Sequence, residues 1–338
     1  MDEDTVKMIE KISISLDKLV PLLERIAIAL EKREEIISHP SHPENRICKN
    51  INGNKKGDAE IDKESSEKNV REEKNQLTIP DNSNTFIVEY LSRQNISIKY
   101  IPPKNDFDAY LDRVATYMGN NYSRIKLFLE QIKSRLNLGD SVRIDLKERS
   151  QEEISAICRV ATDLHEIAFL EEYKYLKSPK YLLYAKPNKI PEAISFMSGK
   201  WLERYVRRQI ISILNELNPA VKYSYISNPR IELPNNDEFE LDLLFEIEGE
   251  IYWFECKSGD YQRFLKKYSE ISKLLNLDEG HTFMILTEIN DASINALRSL
   301  FKIHLTKIEK FPAEFLEIVV KKLNASSSQI NTEKNNES

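Results

Sequence analysis

Residues 240–259 read ELDLLFEIEGEIYWFECKSG, two largely apolar runs that meet at Gly249. The glycine predicts a turn, so the stretch predicts two strands that pair with each other. Side chains alternate between the two faces of a strand. Glu255 and Lys257 therefore share one face, while Phe254 and Cys256 share the other and can pack into a core. Ionisable side chains at the end of a buried strand require a partner or a function.

The first of the two runs supplies the partner. Glu240 and Asp242 are expected to share a face of the same strand, and pairing across the turn brings Asp242 towards Glu255 and Lys257. Two carboxylates with a nearby carbonyl make a hard oxygen site that suits Mg²⁺ or Mn²⁺. Such a metal polarises a phosphoryl oxygen and lowers the pKa of bound water. The lysine can orient that water or stabilise negative charge on the phosphate.

The flanking sequence predicts a mixed sheet between helices. Upstream, GKWLERYVRRQIISILNEL (199–217) has the periodicity of an amphipathic helix, with Glu203 beside its apolar stripe. If this helix lies against the sheet, Glu203 can hold a second metal or a metal-bound water. A strand pair or irregular strand at 222–233 follows, and after 259 a helix, a strand, a helix and a last strand. The predicted order is α-β-β-β-α-β-α-β. The stripe comprises Trp201, Leu202, Tyr205, Val206, Ile210 and Leu214.

These residues, in this order, resemble the PD-(D/E)XK nuclease superfamily, in which an acidic residue precedes a (D/E)-x-K strand. ELD at 240–242 and ECK at 255–257 carry the resemblance. More narrowly, SGKWLERYV, ELDLLF and WFECKSG resemble the nuclease domains of certain CRISPR-associated effectors, where a cyclic-oligoadenylate sensor is fused to the nuclease. The resemblance covers residues 190–310, about a third of the chain.

The resemblance implies a restriction-endonuclease-like fold and assigns roles to four residues. Asp242 and Glu255 would be metal ligands, Lys257 the catalytic lysine, and Glu203 an auxiliary acid and further metal ligand. Leu241 stands where the family name has a proline. No sensor domain is recognisable upstream, so regulation by a cyclic nucleotide is not implied.

We therefore expect a Mg²⁺- or Mn²⁺-dependent enzyme that hydrolyses phosphodiester bonds of nucleic acid, with DNA favoured over RNA. A role in prokaryotic antiviral defence follows from the resemblance alone. Two alternatives stay open at this point. One is a catalytically inactive nuclease-fold module that binds nucleic acid, and the other is an interaction protein assembled through the N-terminal helices.

The chain before residue 85 predicts no catalytic chemistry. Residues 1–37 carry a heptad-like apolar seam over 9–30, interrupted by Pro21, which is typical of a coiled coil or of a helix packed on its own protein. The seam thus favours a homo-oligomer or an internal contact. Residues 38–84 and 325–338 are polar and predict a disordered linker and tail. His39, His42 and Cys48 in the linker lack a fourth ligand at metal spacing.

Residues 85–190 predict a mainly helical domain that ends in a hairpin turning at Ser178-Pro179. Ser150 and Glu153 predict a capping box for its third helix. The helix-then-hairpin order would also suit a winged-helix-like unit. The hairpin interleaves tyrosines with lysines, so it predicts either a nucleic-acid surface or a strand pair with one packed and one solvated face. The tyrosines are Tyr173, Tyr175, Tyr181 and Tyr184, and the candidate contacts are Lys174, Lys177 and Lys180.

Further candidate phosphate contacts open the helix after the ECK strand: Gln262, Lys266 and Lys267. Their alternative is a solvated helix face. His165, His281 and His304 are isolated in amphipathic segments and are expected to be packing or surface residues rather than general bases.

Composition limits the remaining choices. The 338 residues are 41% hydrophobic and 31% charged with a net charge of −6, so a soluble protein is expected, and a nucleic-acid partner would need a local basic surface. The three cysteines show no paired spacing, which favours reduced thiols in a cytoplasm. No apolar run approaches the ~20 residues needed to span a bilayer.

Overall fold

The computed structural model describes residues 84–336 except 106 and 219, with side chains through Leu323. These residues form a mixed α/β structure in which helices flank three sheets, whereas the sequence predicts one mixed sheet between helices and a separate hairpin. The predicted helix over 1–37, the linker and the oligomerisation seam over 9–30 lie outside the described residues. The helices are α1 (Thr85–Arg93), α2 (Asp108–Asn120), α3 (Tyr122–Arg135), α4 (Gln151–Glu166), α5 (Pro191–Ser195), α6 (Trp201–Leu217), α7 (Leu265–Leu274), α8 (Asp291–Phe301) and α9 (Phe311–Asn336). The strands are β1 (Ser97–Tyr100), β2 (Val142–Asp145), β3 (Leu170–Leu176), β4 (Leu182–Pro187), β5 (Tyr223–Ser227), β6 (Arg230–Glu232), β7 (Glu238–Glu240), β8 (Leu243–Ile247), β9 (Glu250–Lys257), β10 (Thr282–Leu286) and β11 (His304–Lys307).

The central sheet has five strands in the order β11-β10-β9-β8-β5. β9, β10 and β11 run parallel, whereas β8 and β5 are antiparallel to their neighbours. β8 and β9 are joined by a two-residue turn, Glu248–Gly249, in which both residues have positive φ (50° and 83°). Such turns match the twist of a hairpin. The predicted turn at Gly249 is confirmed, and the register pairs Leu243 with Phe254.

The strand predicted to precede Gly249, which includes Glu240 and Asp242, is broken in the structure. β7 belongs to a separate three-stranded sheet, β1-β6-β7, and β8 begins only at Leu243. At the corner, Leu241 N–H donates to the Pro229 carbonyl, and Asn228 N–H donates to the Asp242 carbonyl. The chain thus leaves one sheet and enters another at 241–242. The prediction that Glu240 and Asp242 share a strand face is wrong, because Asp242 lies between two strands.

Both faces of the central sheet are covered by apolar side chains. On one face, Phe254 and Cys256 pack with α6 and α9 in a core that also includes residues of α2, α3 and α4. On the other face, Trp253 packs with α7, α8 and α1. The alternation predicted for β9 is therefore confirmed. Every residue of the predicted stripe on α6 is buried.

Residues 85–190 contain the three predicted helices, now α2, α3 and α4. The capping box at Ser150 is confirmed, with Glu153 N–H donating to Ser150 Oγ at 3.2 Å. The predicted hairpin is β3–β4, to which β2 adds a third antiparallel strand in the order β2-β4-β3. Strands β1 and β2 were not predicted. Both are four residues long, too short for a clear alternating pattern.

Packing crosses the predicted domain boundary at 190/191. Helix α2 approaches α6 so closely that a Cβ at Gly119 would lie 2.2 Å from the Tyr205 ring. Arg204 pairs with Asp108 (2.5 Å) and Asp112 (2.8 Å) on α2. Strand β1 pairs with β6, so the upstream segment completes a sheet of the downstream one. Residues 85–190 and 191–324 thus share a continuous core.

The last helix is longer than the sequence predicts. α9 continues to Asn336, across most of the segment 325–338 predicted to be a disordered tail. The segment contains neither proline nor glycine, so nothing in it terminates a helix once one has begun. Separately, none of the helices among the described residues has the length and apolar character needed to cross a bilayer.

Candidate active site

Three of the four predicted site residues meet at the carboxyl end of β9. Because Leu243 pairs with Phe254, Asp242 lies one residue beyond the ladder, opposite Glu255. Lys257 Nζ is 3.3 Å from Glu255 Oε2 and 3.7 Å from Asp242 Oδ2. The lysine thus bridges the two carboxylates, as the strand alternation predicts.

Both carboxylates are fixed by hydrogen bonds rather than free to rotate. Glu255 is 2% exposed, and its Oε1 accepts the Asp242 N–H and the Trp253 indole N–H, both at 3.0 Å. Asp242 is 7% exposed, and its Oδ2 accepts the Cys256 N–H at 2.7 Å. Asp242 can donate its backbone N–H to Glu255 because it lies outside the sheet ladder. The break between β7 and β8 therefore builds the site.

Glu203, the fourth predicted residue, lies in the first turn of α6 and reaches the same corner. Its Oε2 accepts a hydrogen bond from Asn228 Nδ2 at 2.7 Å. Asn228 has a φ of 52°, a left-handed conformation that asparagine tolerates better than most residues. Since Asn228 N–H also donates to the Asp242 carbonyl, it connects Glu203 to the strand break. Glu203 thus neighbours the carboxylate pair but is held by an amide.

The electrostatics of the site are dominated by unbalanced negative charge. Burial, reinforced by the charges of Glu255 and Glu203, raises the pKa of Asp242 well above its usual range. Burial also raises the pKa of Glu203, against the hydrogen bond from Asn228. Burial lowers the pKa of Lys257, but the charges of Glu255 and Asp242 outweigh it and the net shift is upward. Lys257 is therefore a cation at neutral pH, and Lys200 is a second cation that acts on Glu203.

Two carboxylates of this site, those of Asp242 and Glu255, are oxygen ligands of the kind that a divalent metal prefers. Among residues 84–336, apart from the two gaps, no three His, Cys, Asp or Glu side chains converge with metal-ligand geometry. A role of Glu203 as a further metal ligand stays a prediction. Asp242 and Glu255 remain, and Mg²⁺ is commonly held by one or two carboxylates with several waters. A cation would also relieve the repulsion that raises the pKa of Asp242.

The sequence prediction missed four residues that shape this site. Trp253 is two residues before Glu255, so the alternation of β9 could have placed it on the same face. Asn228 is followed by a proline, which signals a turn but not its partner. Lys257 Nζ lies 5.6 Å from the Phe264 ring and 5.4 Å from the Tyr268 ring, within cation–π range. Only the tertiary structure places these two rings beside the lysine.

The candidate contacts after β9 lie on the 3₁₀ helix Gln262–Phe264 and on α7. Gln262 N–H donates to Asp260 Oδ1 (3.1 Å). Lys266 is highly exposed and 4.0 Å from Glu270, whereas Lys267 Nζ lies 4.6 Å from the Phe239 ring. Their contact with phosphates stays a prediction.

The hairpin tyrosines do not share one face. Tyr173, Tyr175 and Tyr181 pack against the main core, and only Tyr184 lies on the opposite face of the sheet. There Tyr184 is flanked by Lys174 on β3 and by Arg143 on β2. Three of the four rings are thus partly buried against the core, which favours the alternative of one packed and one solvated face, and a nucleic-acid surface on the hairpin stays a prediction. The exposed Lys174, Lys177 and Lys180 remain candidate contacts.

The cysteine and histidines have the structural roles expected of them. Cys256 is buried in the core, and burial raises the pKa of its thiol. His281 lies between Asp278 (2.6 Å) and Glu250 (3.2 Å), at the other end of β9. His304 contacts Glu314 (2.7 Å), and His165 lies against Tyr173.

Comparisons with known proteins give only distant structural likeness. No protein-family model matches the chain, and no curated protein matches it. The chain is similar to protein VC1899 from Vibrio cholerae, with TM-score 0.46 and 17% identity over 69% of this chain and 60% of that one. It is also similar to Can2 from Sulfobacillus thermosulfidooxidans, solved in complex with cyclic tetra-adenylate, with TM-score 0.46 and 14% identity over 70% of this chain. The similar region spans 60% of the length of each of these structures.

Proposed function

We propose that this protein is a metal-dependent nuclease of restriction-endonuclease-like fold that hydrolyses phosphodiester bonds, with DNA favoured over RNA. One observation carries the proposal: two buried carboxylates, Asp242 and Glu255, are bridged by one half-buried lysine, Lys257, at the carboxyl end of a strand. Burying a second acid beside the first is costly unless a cation or a function compensates. The preference for DNA and a role in antiviral defence rest on the sequence resemblance.

Asp242 and Glu255 are the residues that would hold Mg²⁺ or Mn²⁺. When bound, such a metal polarises a phosphoryl oxygen and lowers the pKa of bound water. The chain itself supplies pre-organisation: the Cys256 N–H and the Trp253 indole N–H fix one carboxylate each. Fixed ligands cost no reorganisation during the reaction.

Lys257 acts as a cation and not as a base, because the two acids hold its ammonium protonated. The ammonium can donate a hydrogen bond to an attacking water or to a phosphate oxygen on which charge develops. The ammonium also lies within cation–π range of the rings of Phe264 and Tyr268. Glu203, held by Asn228, is placed to accept a proton or to orient a water beside the pair.

The direct test is incubation of the full chain with single- and double-stranded DNA and RNA, with Mg²⁺, Mn²⁺ or EDTA. We expect cleavage that requires the metal and that is lost in Lys257→Ala. Lys266→Ala is the matched control, because Lys266 is an exposed lysine on the neighbouring helix. A modest loss is expected there if Lys266 contacts phosphate.

Two outcomes would overturn the proposal. Cleavage that persists in Lys257→Ala and in Asp242→Asn would place the chemistry elsewhere. Tight binding of nucleic acid without cleavage of any substrate, unaffected by either substitution, would support the binding-module alternative. Mn²⁺ titration by calorimetry distinguishes the nuclease from the binding module, since the binding module needs no metal.

A further inference from the structure

Helix α3 makes three contacts with the sheet edge that carries the candidate site. Tyr122 OH and Lys126 Nζ both reach Glu288, just after β10, at 3.3 Å and 2.8 Å. Lys133, seven residues after Lys126, reaches Ser258, the residue directly after Lys257. The first two contacts hold the end of a neighbouring strand, whereas the third holds the end of the strand with Glu255 and Lys257.

Lys133 makes two hydrogen bonds, and both go to Ser258. Its ammonium donates to the Ser258 carbonyl at 2.6 Å and to Ser258 Oγ at 3.1 Å. Hydrogen bonds from a charged donor are roughly twice as strong as neutral ones. No acidic partner of Lys133 is found in the part of the chain that the structure describes, so the ammonium is devoted to this residue. Lys133 as a whole is exposed, but partial desolvation of its amine lowers its pKa.

Ser258 also contacts a second element of the structure. Its hydroxyl donates to the Ser198 carbonyl at 2.6 Å. Ser198 belongs to the π-helix Phe196–Lys200, which runs directly into α6. Segments with π-helical hydrogen bonding are frequent at functional sites because they displace the backbone. Glu203 lies in the first turn after this segment.

We propose that Lys133 is a positioning residue of the active site. It holds Ser258, and through Ser258 it fixes both the end of β9 with Lys257 and the start of the helix with Glu203. Its effect on catalysis rests on the proposed nuclease function, whereas its effect on the geometry of the carboxylate pair does not. A residue outside the ECK strand and outside the sequence resemblance thereby controls how the acids and the lysine meet.

The test compares Lys133→Met with Lys126→Met in the full chain. Both substitutions remove one ammonium from the same helix and the same sheet edge, but only the first touches the site strand. Hydrogen exchange of the metal-free protein gives the first measurement. The Cys256 N–H, bonded to Asp242 Oδ2, is expected to exchange at least about five-fold faster in Lys133→Met and unchanged in Lys126→Met.

Two further measurements follow the consequence for function. Mn²⁺ affinity is expected to fall by about ten-fold in Lys133→Met, as for other residues that orient metal ligands. The kcat for nucleic-acid cleavage is expected to fall by about ten-fold or more with little change in KM, because misplacement affects the transition state more than binding. Lys133→Arg keeps the donors and should restore most of both.

A double-mutant cycle separates positioning from general stability. The effects of Lys133→Met and Ser258→Ala on kcat or on Mn²⁺ affinity should add only in part, because both remove the contact at Ser258 Oγ, whereas those of Lys126→Met and Ser258→Ala should add fully. The proposal is overturned if Cys256 exchange and Mn²⁺ affinity are unchanged in Lys133→Met, or change equally in Lys126→Met. If the wild type cleaves nothing, the nuclease function fails while exchange and metal affinity still decide the role of Lys133. If it also binds no Mn²⁺, Cys256 exchange alone decides.

Discussion

Carboxylates and cations meet at both ends of strand β9, but their burial and charge balance differ. At the amino end, Glu250 and Asp278 face His281, and Lys322 lies 3.4 Å from Glu250. Partial burial favours the neutral form of Glu250, but hydrogen bonds from His281 and Tyr252 outweigh it and lower its pKa. The amino end is thus a more exposed network in which hydrogen bonds favour the ionised form of Glu250.

At the carboxyl end the acids outnumber the cations, and burial acts in the same direction as their repulsion. The pKa of Asp242 is raised, opposite in sign to that of Glu250. A structural ion-pair network stabilises its own charges, whereas a site that awaits a cation does not. The two ends therefore differ in the sign of the pKa shift, and the carboxyl end is the one that we propose to be functional.

The largest effect should come from removing one acid at each end. Asp242→Asn preserves size and still accepts the Cys256 N–H, but it removes the charge needed for the metal. We expect metal-dependent cleavage to fall by about 10²- to 10³-fold, the scale seen when one pre-organised electrostatic group is lost. Asp278→Asn should leave the rate within about two-fold, as for a residue outside the reaction. Equal losses at both ends, measured as initial rates, would remove the distinction.

The effect of added metal on the stability of the fold should depend on the acids at the carboxyl end of β9 and not on those at its amino end. At a concentration of 100 times Kd, Mn²⁺ should stabilise the fold by about 2.7 kcal/mol. For a domain of this size that corresponds to a rise in Tm of roughly 5–10 °C. Differential scanning fluorimetry should show this rise in the wild type and in Glu250→Gln, and most of it should vanish in Asp242→Asn. A rise that survives Asp242→Asn would place the cation elsewhere.

Without metal, the two ends should respond to pH in opposite directions. The raised pKa of Asp242 means that the folded protein keeps a proton that the unfolded chain has released. Its stabilising effect is full below the unfolded pKa and is lost as pH rises through the folded pKa. The lowered pKa values of Glu250 and Asp278 act oppositely: their stabilisation is present above the unfolded pKa and is lost as pH falls.

Urea unfolding in EDTA between pH 5 and pH 8 measures this directly. One proton of difference between the states changes the free energy of unfolding by about 1.4 kcal/mol per pH unit. We expect the decline of stability with rising pH to flatten in Asp242→Asn. A parallel curve for this variant would show that another group titrates.

The sequence predicted the parts of the site that depend on local periodicity. Alternation along β9 placed Glu255 with Lys257 and buried Cys256, and the stripe on α6 placed Glu203 beside a packed face. It did not predict the break at 241–242, because an unbroken ELDLLF run has the alternation of one strand. That break depends on the pairing of β7 with β6, a contact with another part of the chain.

Local periodicity was also insufficient to predict how residues 85–190 pack against the rest of the protein. The periodicity of α2, α3 and α4 was sufficient to predict them as helices. The packing of α2 against α6 depends on the close approach of Gly119 to the Tyr205 ring, and no local sequence pattern connects these two residues. Lys133 looks like any solvated helix lysine until Ser258 is placed beside it. Apart from the short strands β1 and β2 and the extension of α9, the features that could not be predicted are contacts between distant segments.

The smallest expected effect concerns three lysines of the hairpin, which differ from several other surface lysines in lacking acidic partners within the part of the chain that the structure describes. Lys174, Lys177 and Lys180 have no acidic partner among the described side chains, whereas Lys307 and Lys310 share Asp291 and Lys321 pairs with Glu317. If unpaired cations mark a phosphate surface, Lys174→Ala/Lys177→Ala/Lys180→Ala should weaken nucleic-acid binding by about three- to ten-fold and reduce its salt dependence. The charge-matched triple Lys307→Ala/Lys310→Ala/Lys321→Ala should change affinity less. Fluorescence anisotropy at several salt concentrations measures both, and equal losses would mean that only net charge matters.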